Sequence, residues 1–332
     1  MQAAQNTSYG SPDVLTVQEI EAPALGDHDV LIRVHASPVT QGDRRLRAAD
    51  FPGIGWLPGR LMTGLLRPRH RTPGTAFAGR VEAVGAAVTR FTPGQDVFGA
   101  PPHGAQAELL VMPEDGALAA MPRGFSDDEA AALPYGGVTA MVFLRELGEV
   151  RPGQRVLIVG AAGGVGRLAV QLAAHLGAEV TGVASARDHD LLRALGAHHV
   201  IDRRTRDFAA EGQRYDVIFD ASTTVSFGRA RAALAPEGRF LTLHMGVGVL
   251  AWMAVTALVG GQRAIFGVAL GDAARLEQVR VLAEAGAFRP VIARRFPLAE
   301  VAAAHAYLEG ERPHGSVVVT LPAAGRGAVA AS

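Results

Sequence analysis

Val156-Leu157-Ile158-Val159-Gly160-Ala161-Ala162-Gly163-Gly164-Val165-Gly166 is an unbroken aliphatic run that passes straight into a glycine-rich loop. A run without polar alternation is the pattern of a strand buried on both faces, as in a parallel sheet. After the loop, Val165, Leu168, Ala169, Leu172, Ala173 and Leu176 recur at the spacing of one helical face. Gly177 stops that helix, and Glu179–Ala184 resumes as a strand. Strand, loop, helix and strand make one βαβ unit of about thirty residues.

The alternation continues outward from this unit. A helix is expected around Asp188–Leu195, then strands at His199–Ile201 and Val217–Asp220, a helix at Val225–Leu234, and strands at Arg239–Leu243 and Ala264–Val268. Alternating elements at this spacing predict a doubly wound parallel sheet. The first 125 residues read differently. Val30, Ile32 and Val34 alternate with Leu31, Arg33 and His35, while Gly79–Val84 and Val97–Phe98 are short strand candidates among frequent Gly and Pro. Helix Ala273–Ala285 and strand Ser316–Leu321 are expected to return to this β-rich domain. The fold class is therefore α/β, with a β-rich domain of residues 1–125 and 271–332 around a parallel-sheet domain of residues 126–270. The small-residue tail from Pro322 is expected to fray.

Composition excludes several chemistries. The 332 residues carry no net charge, so no overall field holds nucleic acid or an anionic membrane. The absence of cysteine removes disulfides, thiolate metal sites and thiol nucleophiles. All basic residues other than histidine are arginine, so no lysine can form a Schiff base. No basic and apolar leader opens the chain, and a cytoplasmic protein is expected. Phe240–Gln262 lacks Asp, Glu and Arg and is long enough to span a bilayer. Gly246, Gly248, Gly260 and Gly261 break it, however, and a strand, a turn and an apolar helix at Val249–Val259 explain it better. That helix could line a cleft, cover it or join an interface. The cluster Arg67-Pro68-Arg69-His70-Arg71 has no interleaved aromatics and reads as a solvated loop.

The glycine loop carries the first chemical signal. Gly163 lets backbone approach a pyrophosphate, Gly166 lets helix and strand pack closely, and the helix start at Gly164 and Val165 supplies N–H groups; Ala161 stands where the first glycine of the usual pattern falls. A site for NAD places a carboxylate at the end of the second strand. Here that stretch reads Val183-Ala184-Ser185-Ala186-Arg187, with no carboxylate before Asp188. Ser185 and Arg187, with Arg203 and Arg204 past the third strand, suit a phosphate instead, which favours NADPH.

Tyr9–Leu15, Val34–Asp43, Pro73–Gly79, Val84-Gly85, Pro93–Val97, Leu133–Ala140, the glycine loop, Leu195–Ala197 and Gly315–Thr320 occur in an order that resembles the medium-chain dehydrogenase/reductase superfamily, in its zinc-independent quinone-oxidoreductase-like branch. The resemblance runs from about Tyr9 to Leu321. It implies a GroES-like catalytic domain at both chain ends, a Rossmann domain between them and an active-site cleft at their junction. Hydride transfer from NADPH to a quinone or an enone is implied, with a small hydrophobic substrate. It also implies a homodimer through the edge strand, residues 263–268.

Zinc alcohol dehydrogenases place a ligating Cys where this chain has Thr40, and a His-Glu pair where it has Thr75-Ala76, so no metal site is expected. The zinc-free branch usually carries Asn-x-x-Asp; this chain has Thr40-Gln41-Gly42-Asp43. The match makes Thr40 and Asp43 catalytic candidates, although an Asp at that point also suits a loop cap. Tyr135 is a third candidate, as an added polar group or a packed ring. The resemblance puts Thr139 near the nicotinamide, with His244 and the Phe266–Val268 stretch beside it. His103 reads as a loop residue. Two other readings stay open: a nucleotide-binding protein without catalysis, and an enoyl reductase acting on fatty-acid or polyketide intermediates.

Overall fold

A computed structural model describes residues 1–51, 53–311 and 313–322, so the tail expected to fray lies outside the described residues apart from Pro322. The fold is built on two main sheets. In the first, Arg155–Val159 lies at the centre of six parallel strands, in the order His199–Asp202, Glu179–Ala184, Arg155–Val159, Tyr215–Asp220, Leu234–Thr242 and Arg263–Phe266. The direction of strand addition reverses beside Arg155–Val159. Ligands bind at such a switch point, beyond the carboxyl ends of the strands. Val156, Leu157 and Ile158 are fully buried, as an aliphatic run covered on both faces must be.

The second sheet has seven strands around the long strand Asp29–Val39, which pairs with Phe77–Val84, with Leu109–Pro113 along its first half and with Ser316–Thr320 along its second. Val317–Thr320 faces Ala36–Val39 in antiparallel register, so the end of the chain returns to complete the β-rich unit. Ala36, Ala78, Phe98 and Val318 share one buried cluster with Leu133, Phe143 and Leu168, which joins the two units through an apolar seam.

Most elements fall where the sequence places them. Glu179–Ala184 matches residue for residue, and Gly177 has φ +77°, the left-handed turn that ends helix Gly164–His175. Two expectations need correction. Val225–Leu234 is not one helix: Ser226 caps only the short helix Phe227–Ala230, a 3-10 turn follows, and Leu234 pairs with Tyr215 as the start of a longer strand. The sixth strand ends at Phe266 rather than Val268, and Gly267 follows packed against the Leu147 and Phe143 side chains. The apolar segment forms helix Val247–Val259, and among the described residues no helix is long and apolar enough to cross a membrane.

Candidate cofactor and substrate cleft

A cleft of about 1000 Å³ opens between the two sheets at the switch point. From the parallel sheet it is lined by Gly160, Ala162–Gly166, Ser185, Arg187 and Arg203; from the other unit by Thr40, Gln41, Arg45 and Gly315–Val317; and Tyr135 joins them from helix Leu133–Met141.

The glycines divide the labour. Gly160 makes the turn out of the strand at φ +76°, where a side chain would also strike Ser222. Gly166 is the packing glycine: a Cβ there would lie 2.2 Å from the Gly160 carbonyl oxygen. At Gly164 a Cβ would meet nothing within 4 Å, so the backbone at the start of a twelve-residue helix faces open cleft. That start presents N–H groups and the positive end of the helix dipole to an anion. Ala161, by contrast, is fully buried with its methyl toward Gly182 and does not line the cleft. Buried Arg167 donates to the Ala162 carbonyl at 2.7 Å and braces the loop; burial pulls its guanidinium down to about 10 against the pull of Asp188.

At the ends of the second and third strands, Arg203 Nε donates to Ser185 Oγ at 3.1 Å, so the two residues form one unit. Among the described residues lining the cleft Asp188 is the sole carboxylate, and it is buried and engaged, 3.8 Å from Arg187 Nε and 2.6 Å from His314 Nδ1. The contact with His314 also ties the returning chain to the nucleotide side.

On the opposite side, Thr40 and Asp43 form a capping box on helix Gln41–Ala48. The Asp43 carboxylate accepts from Thr40 N–H at 2.8 Å, from the Thr40 hydroxyl at 2.6 Å and from the Thr75 hydroxyl at 3.0 Å. Burial pushes its pKa up, and these hydrogen bonds oppose the rise. Thr40 lines the cleft, whereas Asp43 sits behind it as the cap of helix Gln41–Ala48. The one hydroxyl proton of Thr40 is committed to Asp43. Tyr135 differs: its ring lies on Gly42, and no acceptor takes its proton among the described residues. Burial raises the phenol pKa, with the Arg45 charge acting against that rise.

The remaining expected site residues are scattered. Thr139 spends its hydroxyl on the Tyr135 carbonyl one turn back, at 2.6 Å. His244, Phe266 and Val268 do not line the cleft, and Val268 is exposed; Leu243 lines it instead. His103 stacks on His70 at 3.7 Å, well outside it. Residues the sequence reading missed are Gly160, Arg167 and the loop Ser222–Thr224. Asp220 holds that loop through Ser222 N–H, the Ser222 hydroxyl and Val225 N–H, and Thr223 sits at φ +60°. Asp-Ala-Ser-Thr-Thr directly after a buried strand was the available signal, because strand carboxyl ends line such clefts.

The donor set on the substrate side does not fit zinc. Thr40 and Thr75, at the two positions where the resemblance calls for ligands, are neutral hydroxyls turned onto one carboxylate. No group of three or more His, Cys, Asp or Glu that could hold a metal occurs among the described residues.

A glycine-loop cleft between a parallel sheet and a mostly antiparallel one is the architecture of the two-domain nicotinamide-dependent oxidoreductases. Residues 26–123 match the alcohol dehydrogenase GroES-like domain, and residues 195–319 match the family described as zinc-binding dehydrogenase. The chain is 31% identical over 332 residues to a quinone oxidoreductase of Pseudomonas aeruginosa, covering 95% of this chain and 98% of that protein. A 2-haloacrylate reductase of a Burkholderia species is 30% identical over 334 residues, covering 93% and 96%. The solved quinone oxidoreductase of Coxiella burnetii superposes with a TM-score of 0.83 at 29% identity, covering 97% and 99%. The chain belongs to the medium-chain dehydrogenase/reductase superfamily, in its quinone-oxidoreductase-like branch.

Proposed function

We propose that the protein is a zinc-independent, NADPH-dependent reductase of quinones or α,β-unsaturated carbonyl compounds. The observation that carries this reading is the single cleft lined by the open glycine loop, the Ser185–Arg203 unit and the Tyr135 hydroxyl. NADPH supplies a hydride equivalent when bound. The backbone at Gly163–Val165 would receive its pyrophosphate, and Ser185, Arg187 and Arg203 its 2′-phosphate. Asp188 is engaged by His314, which leaves the ribose hydroxyls of NADH without the carboxylate they normally use. Thr139, Ala161, His244, Phe266 and Val268 act, in this reading, only through the residues they support.

Reduction leaves negative charge on the substrate oxygen, as an enolate or a hydroquinone anion. Tyr135, with its proton free and its ring packed on Gly42, donates a hydrogen bond to that oxygen and then the proton; Arg45 steadies the phenolate, and water restores the proton. Thr40 shapes the wall from its capping box. Val39, Leu243 and Leu308 give the cleft apolar walls suited to a hydrophobic acceptor. In the same reading the protein is cytoplasmic, residues 126–270 bind NADPH, and 1–125 with 271–332 bind substrate. The unpaired edge strand Arg263–Phe266 supports a homodimer.

The test is NADPH consumption with a quinone, an enone and an enoyl thioester, each with and without chelator. Chelator-insensitive turnover of the quinone or enone supports the proposal. Turnover of the thioester alone would favour the enoyl reductase reading, and NADPH binding without any turnover the non-catalytic one.

A further inference from the structure

Helix Trp56–Thr63 is inverted relative to an ordinary surface helix. Its small and polar residues face the body of the protein. Gly59 lies on the Phe51 ring, where a Cβ would be 2.5 Å from the ring carbons. Arg60 covers the Tyr9 ring at 4.4 Å, and the Tyr9 hydroxyl meets Thr63 Oγ1 at 3.1 Å and donates to the Gly64 carbonyl at 2.7 Å. The large apolar residues of the opposite face point outward: Leu57, Leu61 and Met62 are half or more exposed, as is Leu65, and Leu66 reaches 86%, while Trp56, at the helix start beside Arg60, is half exposed. No residue of the helix is buried. A contiguous apolar face of this kind marks a surface that meets something else.

What it meets is indicated by the charge beside it. Gly64, at φ +119°, turns the chain so that Arg69 N–H bonds the Thr63 carbonyl at 2.7 Å, which folds the basic segment back against the helix end. Arg67, Arg69 and Arg71 are exposed, and none has an ion-pair partner among the described residues. No Asp or Glu occurs between Asp50 and Glu82. Stacking of His70 on His103 fixes the segment to the next loop.

We infer that this face seats the protein on a lipid surface carrying anionic headgroups, with the leucines in the acyl boundary and the arginines among the phosphates. An exposed apolar helix face flanked by arginines is the composition that binds in the plane of such an interface. Each arginine near an anionic surface contributes about fivefold in affinity, so three contribute roughly a hundredfold.

The test is flotation of the full chain with vesicles of phosphatidylcholine alone and with about 30% phosphatidylglycerol, at low and high salt. Binding is expected to the anionic vesicles and to fall at high salt. It should drop roughly a hundredfold in the triple variant Arg67→Gln, Arg69→Gln, Arg71→Gln. The double variant Leu61→Gln, Leu66→Gln should lose binding with an unchanged melting temperature, since both side chains are exposed. No flotation with the anionic vesicles, or equal binding to neutral ones, would overturn the proposal. So would a light-scattering mass that falls by half in the double leucine variant, which would assign the face to a second copy of the chain.

Discussion

Asp43 offers the sharpest separation between holding a site and reacting in it. Asp43→Ala strips the acceptor from three donors at once, the Thr40 amide, the Thr40 hydroxyl and the Thr75 hydroxyl, at 2.8, 2.6 and 3.0 Å. Loss of a cap interaction costs about 1 kcal/mol, and each further stranded donor about 1–3 kcal/mol. Removing a carboxylate that burial disfavours returns part of this. The net loss is about 3 kcal/mol, a fall in melting temperature of roughly 4 °C for a chain of 332 residues. Asp43→Asn keeps one oxygen for Thr40 and offers its amide to the Thr75 oxygen, so it should cost only about 1 kcal/mol and leave kcat within about threefold. The pH dependence has a definite sign. Burial raises the folded pKa above the ordinary carboxylate value, so between the two values the folded protein holds a proton that the unfolded chain has released. The contribution of Asp43 therefore falls as pH rises, and the melting advantage of wild type over Asp43→Asn should shrink from acid toward neutral pH. Thermal melts across pH, paired with steady-state kinetics, read both quantities. A loss of about a hundredfold or more in kcat for Asp43→Asn, with melting unchanged, would refute the capping account and return Asp43 to the reacting atoms.

Other outcomes follow from the same geometry. Tyr135→Phe should lower kcat about ten- to a hundredfold while leaving the NADPH dissociation constant within about twofold, as read by turnover and by fluorescence titration. Gly166→Ala places a methyl 2.2 Å from the Gly160 oxygen, so it should cost about 3 kcal/mol in melting and weaken NADPH binding together. His305 is fully buried against Arg47, and burial, helped by that charge, lowers its pKa to about 3. Its contribution is complete above the ordinary value of 6.5 and is lost as pH falls from there toward 3, so His305→Gln should flatten the acid side of the stability profile.

The parallel sheet was legible because its evidence is local. Val156–Val159, the glycine loop and the stripe from Val165 to Leu176 each report their own burial through period and glycine placement. The helix expected over Val225–Leu234 failed because pairing with Tyr215 claims Leu234 for a strand, a contact no local period reveals. The site divides in the same way. The Gly163–Gly166 loop and the chain position of Ser185 were readable, whereas the bond from Arg203 to Ser185 and that from Thr75 to Asp43 join residues distant in sequence. Helix Trp56–Thr63 defeats the pattern rule outright, since its apolar residues face outward because Tyr9 and Phe51 take its arginine and its glycine.

The most direct test of the central claim is the ratio of kcat/KM for NADPH to that for NADH, with one quinone acceptor, in wild type and in Arg203→Ala. Wild type should prefer NADPH, and losing a charge-assisted contact to the 2′-phosphate should cut that preference about tenfold or more while leaving the NADH value nearly unchanged. A wild-type preference for NADH, or an Arg203→Ala variant that loses both cofactors equally, would contradict the account.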